Sequence, residues 1–401
     1  MQSLSNQQLL SAAEQFGTPL YVYHSEKITE QFQKLQTAFH KSNTQFYYAC
    51  KALTNVSILK HMRLIGCNID CSSINEVKLA LYAGYDAKNI LYTSNGIAFS
   101  EIEEAVNLGV NITIDSISNL KKFAEKYENR YPVSLRIRPN IMGGGNLNIS
   151  TGHENSKFGI PITRMNDILK LMQEHPLHVT GLHIHTGSDI EDIGVFIQGI
   201  DILFTIIHHF PQLQFIDLGS GFKVKYKAND KETDIVKLAN KIYETFESNE
   251  LAKNLNIWFE PGKFLVSECG YLLSKVNVMK ENNESVFVGL DTGFNHLIRP
   301  MFYNSYHQIK NLSNNNNLTA TYTIVGNLCE TDTFATDRII EQTQEADILC
   351  FYNAGAYGFE MSSNFNSRYK PAEVMFKNNE AYLIRERDHF DDLIKNQIII
   401  D

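Results

Sequence analysis

The chain reads as α/β: a TIM-like (β/α)8 barrel followed by a C-terminal antiparallel β domain. Two observations predict this. Between residues 45 and 260, short β-type runs alternate with longer helical stretches, the pattern of successive βα units. After residue 270 the texture changes to β-rich runs separated by turns such as "KENNE" and "NLSNNNNL".

The strand candidates of the first part are "QFYYA" (45–49), "NID" (68–70), "ILYT" (90–93), "NITID" (111–115), "VSLRIR" (133–138), "VTGLHIH" (179–185), "QFIDL" (214–218) and "NIWFE" (256–260). Intervening segments such as "SEIEEAVNLG" and "SISNLKKFAEKYEN" start on Ser and carry charged faces, as helices do. Eight such units predict a closed barrel over an open doubly wound sheet. In the second part "YLLSKVNVM", "SVFVGLD", "TATYTIVG" and "DILCFYNAG" are strand-like, and the asparagine run 314–317 suits an exposed hairpin tip. The early run "TPLYVY" (18–23) is expected to add a strand to this β domain. The expected division is a barrel over 28–268, with 1–27 and 269–401 forming the β-rich domain.

Composition narrows the function. The net charge of −9, with no basic block, gives nucleic acid no electrostatic footprint. The start "MQSLSNQQLLSAAEQF" lacks the pattern of a secretion signal, and "DILFTIIHHF" is too short to span a membrane. Six irregularly spaced cysteines suit a reducing cytoplasm, and Cys67 with Cys71 lacks a second pair for zinc. The expectation is a cytoplasmic enzyme without nucleic-acid or membrane partners.

In a barrel of this type, chemistry sits at the C-terminal strand ends. Lys51 follows the first strand in "YYACKALTN", where the surrounding pattern is interior, and Asp70 ends the second. The sixth ends in "HIHTGS", with His185 and Ser188. The seventh ends in "DLGSGF", with Gly219, Ser220 and Gly221, and the eighth in "FEPGK", with Glu260 and Lys263. Singly each has an ordinary reading: a snorkelling lysine, a strand-end histidine, a tight turn, a carboxylate closing a strand. Together they suit pyridoxal phosphate. Its aldehyde needs a lysine and its phosphate needs the backbone N–H groups of a glycine-rich turn. Its ring nitrogen needs an acidic partner, here Glu260, while His185 can stack on the ring and Ser188 can donate to the phosphate.

With "GTPLYVY", "YYACKALTN", "STGHENSKFGI", "GLHIHTGSDI", "IDLGSGF", "EPGKFL", "DTGFNHLIRPMFYNSYHQI", "CETDTF" and "GAYGFEMSSNFNSRYKPAEV", the chain resembles the fold type III pyridoxal-phosphate decarboxylases over nearly its whole length. The resemblance is strongest to their diaminopimelate decarboxylase branch and implies an alanine racemase-like architecture. It implies that Lys51 links covalently to the cofactor, that His185 stacks on the ring, and that Ser188 with Gly219, Ser220 and Gly221 holds the phosphate. Glu260 would pair with the ring nitrogen and Tyr357 would border the cofactor. Arg299 and Tyr303 would hold the substrate's distal carboxylate, the position on which Lys263 also bears. Cys329 would protonate the carbanion and Glu330 contact the distal amine, both supplied by the partner subunit of a homodimer. The implied reaction is decarboxylation of meso-2,6-diaminopimelate to L-lysine and CO2, the last step of lysine biosynthesis, with no metal.

The chain departs from the family pattern in places. "GSGFK" replaces "GGGFG", so Ser220 takes a glycine position. "EPGK" replaces "EPGR", giving Lys263 a point charge where arginine offers a fork. "KALTN", "DCSSINE" and "CETDTF" also differ from the usual runs, and no catalytic group is lost. A sister decarboxylase acting on ornithine, arginine or carboxynorspermidine would share the cofactor set but would not need Arg299. A catalytically dead homologue would be expected to lose Lys51, Cys329 or Glu260. A racemase on the same barrel would lack the "CET" and "GAYG" pair.

Overall fold

The computed structural model describes residues 4–141, 156–314 and 316–400. The "STGHEN" part of one family-like run, and Asn315 of the asparagine run, lie outside the described residues. The chain divides into two compact units: Gln31–Lys225 with Lys231–Phe264, and Met1–Glu30 with Tyr226–Asp230 and Leu265–Asp401.

Strand β1 (Leu20–His24) belongs to the second unit. The first is built on β2 (Thr44–Ala49), β3 (Asn68–Cys71), β4 (Ile90–Thr93), β5 (Asn111–Ile114), β6 (Val133–Arg138), β7 (Val179–His183), β8 (Phe215–Asp217) and β9 (Asn256–Phe259). Each pairs in parallel with the next, and β9 pairs with β2, so the sheet closes on itself. This is the barrel the sequence predicts. The strand–helix loops at its C-terminal end are drawn in by helix caps. The side chains of Asn55, Ser73, Ser116 and Asp234 each accept a backbone N–H of the first turn of the helix that follows.

Inside the barrel, Tyr47, Leu91, Phe215 and Trp258 form one buried cluster. The Phe215 and Trp258 rings stack with centroids 3.5 Å apart and planes 10° from parallel. Gly181 on β7 makes room for this stack, because a Cβ there would lie 2.1 Å from Phe215 Cζ.

The second unit continues with β10 (Gly270–Glu281), β11 (Val286–Leu290), β12 (Ile309–Asn311), β13 (Thr319–Val325), β14 (Thr333–Glu341), β15 (Ile348–Phe351), β16 (Ala372–Lys377) and β17 (Glu380–Arg385). The run "TPLYVY" supplies β1, antiparallel to β10 and parallel to β16. With β11 also parallel to β13, the sheet is mixed but mostly antiparallel, as the sequence predicts. A strand from the chain's start can lie beside one from its end in either direction, because no hairpin joins them. Leu9, Leu20, Val22, Leu273, Cys350 and Val374 pack its core. Among the described residues no helix is long and apolar enough to cross a membrane.

Gly181→Ala should force the Phe215–Trp258 stack apart and destabilise the chain by about 1–3 kcal/mol, as overpacking does. Thermal unfolding would show it, and an unchanged midpoint would mean that the stack yields without cost.

Candidate active site

Charged groups from several strands gather at the C-terminal end of the barrel. Lys51 stands on a single turn, Cys50–Ala52, directly after β2. Its neighbours Cys50 and Ala52 are buried, but its own side chain is 45% exposed, so it emerges at the mouth and not in the interior. Lys51 Nζ lies 3.4 Å from Oδ2 of Asp70, which is fully buried on β3. Glu260 follows β9 and is itself buried. Its Oε1 accepts a hydrogen bond from Thr93 Oγ1 at 3.0 Å, and its Oε2 lies 3.5 Å from His183 Nε2. Arg136, in register with His183 on the neighbouring strand, is buried with its guanidinium 4.8 Å above the Phe158 ring.

The buried carboxyls Asp70, Asp217 and Glu260 do not share charge equally. Burial, then the charge of Glu260, pushes Asp70 up to about 8 against the pull of Lys51. The same two causes push Asp217 well above the carboxylate range. Burial would raise Glu260 too, but His183, Lys51 and Arg136 more than reverse it and hold it below its usual value. Glu260 therefore carries the negative charge while Asp70 and Asp217 keep their protons at neutral pH. His183, Asp217 and Glu260 have the donor types of a cation site, with atoms within 4.8 Å of one another. The cations Lys51 and Arg136 act on the same carboxyls, so the site's electrostatics are balanced by side chains.

The loop after β8 has the backbone of a phosphate cradle. Gly219 and Gly221 take φ of +61° and +117°, which side chains resist. A Cβ on Gly219 would lie 2.6 Å from His185 Nδ1, and one on Gly221 would lie 2.3 Å from the Gly187 carbonyl oxygen. Ser220 is not among the residues with left-handed backbone, so serine fits this glycine position of the family pattern. Its N–H donates to His185 Nδ1 at 3.3 Å. Burial, then Arg136, lowers the His185 pKa to about 3, so the imidazole is neutral. Ser188 lies half-buried in the same loop as His185. Lys263 Nζ is bound by both carboxylate oxygens of Asp189, at 2.8 and 2.7 Å.

The remaining candidates lie in the second unit. Arg299 is buried; its Nη2 donates to Tyr226 Oη and Ser305 Oγ, both at 3.4 Å. The rings of Tyr226 and Tyr303 lie 5.7 and 5.9 Å from the guanidinium carbon. Tyr357 is half-buried and takes a φ of +56°, a strained conformation for an aromatic residue and one typical of functional sites. Cys329 is exposed and held by Asn366. Its N–H donates to Asn366 Oδ1 at 2.9 Å, and its Sγ accepts from Nδ2 at 3.1 Å. Glu330 beside it is exposed.

Sequence reasoning leaves Thr93, Arg136, His183 and Asp217 unassigned. Two of them have a legible signal. His183 stands two residues before His185, so strand alternation puts both on one face. Arg136 lies with Ser134 and Arg138 on the polar side of an alternating strand. Thr93 and Asp217 carry no mark that separates them from ordinary strand ends.

The barrel residues fit pyridoxal phosphate. Asp70 Oδ1, His183 Nδ1, Thr186 Oγ1 and Asp217 Oδ2 are buried without a hydrogen-bond partner, as groups awaiting a polar ligand are. They accompany a lysine amine, an ionised carboxylate, a neutral imidazole and a loop whose glycines leave room for an anion.

Comparison with known proteins agrees. Residues 25–267 match the family model described as pyridoxal-dependent decarboxylase, pyridoxal binding domain. The chain therefore belongs to the pyridoxal-dependent decarboxylases. Diaminopimelate decarboxylase from Methanothermobacter thermautotrophicus is 36% identical to it, over 96% of this chain and 92% of that one. The Neisseria meningitidis serogroup B enzyme of the same name is 34% identical, over 96% and 94%. The crystal structure of M. jannaschii diaminopimelate decarboxylase with L-lysine has a TM-score of 0.90 and 30% identity, covering 98% of this chain and 94% of that one. Within its class, the chain falls in the diaminopimelate decarboxylase family.

The proton on Asp70 gives a pH test. An unfolded aspartate releases its proton near pH 4, whereas the folded chain keeps this one up to about 8. The folded state thus binds the extra proton between those values, and stability falls as pH rises through that window. Asp70→Asn removes the loss. The unfolding midpoint of the cofactor-free Asn chain should exceed that of the parent by a margin that grows from about pH 4 to pH 8. A margin constant with pH would mean that Asp70 is ionised throughout.

Proposed function

We propose that this chain decarboxylates meso-2,6-diaminopimelate to L-lysine and CO2. Residues 28–268 would hold pyridoxal phosphate, while 1–27 and 269–401 would carry the substrate-binding and partner-facing residues. The observation that carries the substrate assignment is Arg299. Arg299 is only 5% exposed, its Nε has no partner, and among the described residues no carboxylate lies within ion-pair distance. A buried cation without an anion is costly, so such a site is built for an incoming carboxylate. Ornithine and arginine have no second carboxylate to offer, whereas diaminopimelate does. L-lysine, the product of the proposed reaction, is bound in the M. jannaschii structure.

When bound, pyridoxal phosphate supplies a protonated ring that takes up the electron pair left behind by CO2. The chain's own residues do the rest. Lys51 provides the amine that anchors the cofactor and that the substrate amine replaces. Glu260, kept ionised and oriented by Thr93, sustains the proton on the ring nitrogen. His185 is neutral and can pack flat against the ring without adding a second charge. The turn Gly219–Ser220–Gly221 would meet the phosphate through the Gly221 N–H together with the Ser188 hydroxyl, since the Gly219 and Ser220 N–H groups already donate to Asp217 Oδ1 and His185 Nδ1. Tyr357 would border the cofactor. Arg299 and Tyr303 hold the distal carboxylate and so fix which end of the substrate reacts. Lys263 is not given that task, because Asp189 already neutralises it.

Cys329 delivers the proton to Cα, and Glu330 meets the distal amine, both from the partner in a homodimer. What supports this is that the Cys329 thiol is exposed in the single chain yet fixed by Asn366, as a group presented to a second subunit would be.

CO2 release with meso-diaminopimelate, ornithine, arginine and carboxynorspermidine in parallel tests the reaction. Release from diaminopimelate alone is expected, and Arg299→Met should raise its KM by about a hundredfold. Release from another substrate, or an unmoved KM, would shift the assignment to a sister decarboxylase. Mixing Lys51→Ala with Cys329→Ala chains should restore part of the activity that each lacks; no recovery would place each site within one chain.

A further inference from the structure

Asp189 has no role in the reading above, yet three loops of the barrel mouth are joined through its neighbourhood. It lies in the loop after β7, between Ser188 and Ile190, and binds Lys263 Nζ with both carboxylate oxygens at 2.8 and 2.7 Å. Lys263, the first residue of the short helix Lys263–Val266 that follows β9, is only 10% exposed, while Asp189 is 33% exposed. On its other side the same loop is tied by backbone. Ile190 N–H donates to the Gly221 carbonyl at 2.8 Å, and Ile190 pairs with Phe222 in an isolated bridge. Glu260 N–H donates to the Gly219 carbonyl at 2.7 Å, joining the loops after β8 and β9. The Asp189–Lys263 pair therefore closes a ring of contacts: loop 185–190 to loop 219–222, that loop to Glu260, and Lys263 back to Asp189.

Two features indicate that the pair is held for a purpose. Asp189 takes a φ of +59°, a conformation unusual for any residue with a Cβ, although Asp and Asn tolerate it best. A nearly buried ammonium needs a partner, and here one carboxylate supplies two contacts to it.

We propose that Asp189 is a positioning residue. Its ion pair with Lys263 staples loop 185–190 to the turn after β9 and so holds His185 and Ser188 where they meet the cofactor. This rests on the reading of these loops as the cofactor's cradle. It also changes the part played by Lys263. With its charge met by Asp189, the lysine acts through that residue and not as a receptor for the substrate's carboxylate.

The two roles separate in one experiment. Asp189→Asn keeps the side chain's shape and its tolerance of left-handed backbone but removes the charge. The full-length parent, Asp189→Asn and Asp189→Glu are titrated with pyridoxal phosphate, and KM for meso-diaminopimelate is measured on the loaded proteins. A staple predicts that the Asn variant binds the cofactor on the order of tenfold more weakly, since it strands a nearly buried charge. The Glu variant should recover most of that loss. KM should stay unchanged once the protein is loaded, and amide hydrogens in 185–190 should exchange faster in the Asn variant. If that variant folds poorly, Asp189→Asn with Lys263→Gln leaves no buried ammonium and should show the same weakened binding. Unchanged cofactor affinity overturns the proposal, and a fall in KM alongside it would show Lys263 freed to bind the substrate. If the parent binds pyridoxal phosphate but releases no CO2 from diaminopimelate, the substrate assignment fails while the titration still decides the staple. If the parent binds no pyridoxal phosphate, both fall.

Discussion

One buried negative charge organises the barrel mouth. Glu260 keeps its charge where burial would ordinarily remove it, because His183, Lys51 and Arg136 act on it and Thr93 donates to it. That charge then sets the state of its neighbours, since buried like charges cannot all persist. Asp70 and Asp217 stay protonated, and each keeps one carboxyl oxygen unpaired in the absence of a ligand. The result is an acid–base arrangement fixed before any cofactor arrives. A carboxylate able to hold a ring nitrogen protonated is already ionised, and an imidazole able to lie against a ring is already neutral.

Backbone geometry is the second constraint, and it answers to the first. Asp217 accepts the Gly219 N–H at 2.8 Å, so a carboxyl of the buried set also shapes the start of the glycine turn. The turn then presses against the loop after β7 so closely that no side chain fits at 219 or 221. Ser220 survives between them because its own backbone needs no left-handed conformation. A position that looks like a loss of glycine by pattern alone is thus neutral by geometry.

Much of this was legible in the sequence. The eight barrel strands stand out because each is a short apolar run followed by a polar cluster, and the parallel barrel requires that order. Lys51, His185, the "GSG" turn and Glu260 were readable for the same reason, each lying just past a strand end. The parallel pairing of β1 with β16 was not readable, since it joins residues 352 positions apart with no turn between them to mark the direction. Nor was the Asp189–Lys263 pair, since neither residue type signals a partner 74 positions away. Arg136 and His183 needed only the two-residue alternation of a strand, but their weight depends on which carboxyls face them, and that is a property of the closed barrel.

The two basic side chains offered for anion recognition differ in a way only the structure brings out. Both Lys263 and Arg299 are nearly buried cations, and by residue type arginine and lysine look like alternatives for the same carboxylate. Lys263 already has its carboxylate, Asp189, built into the chain directly after the "HTGS" run. Arg299 has hydroxyls and aromatic faces around it and no acid among the described residues. Hydroxyls orient a guanidinium without neutralising it, and ring faces shield it from water without offering it a proton acceptor. A cation prepared in that way binds a carboxylate more strongly than one that must first give up an internal partner. On the proposed reading, selectivity for a dicarboxylate would fall on Arg299, while Asp189 gives the lysine at 263 a partner of opposite charge.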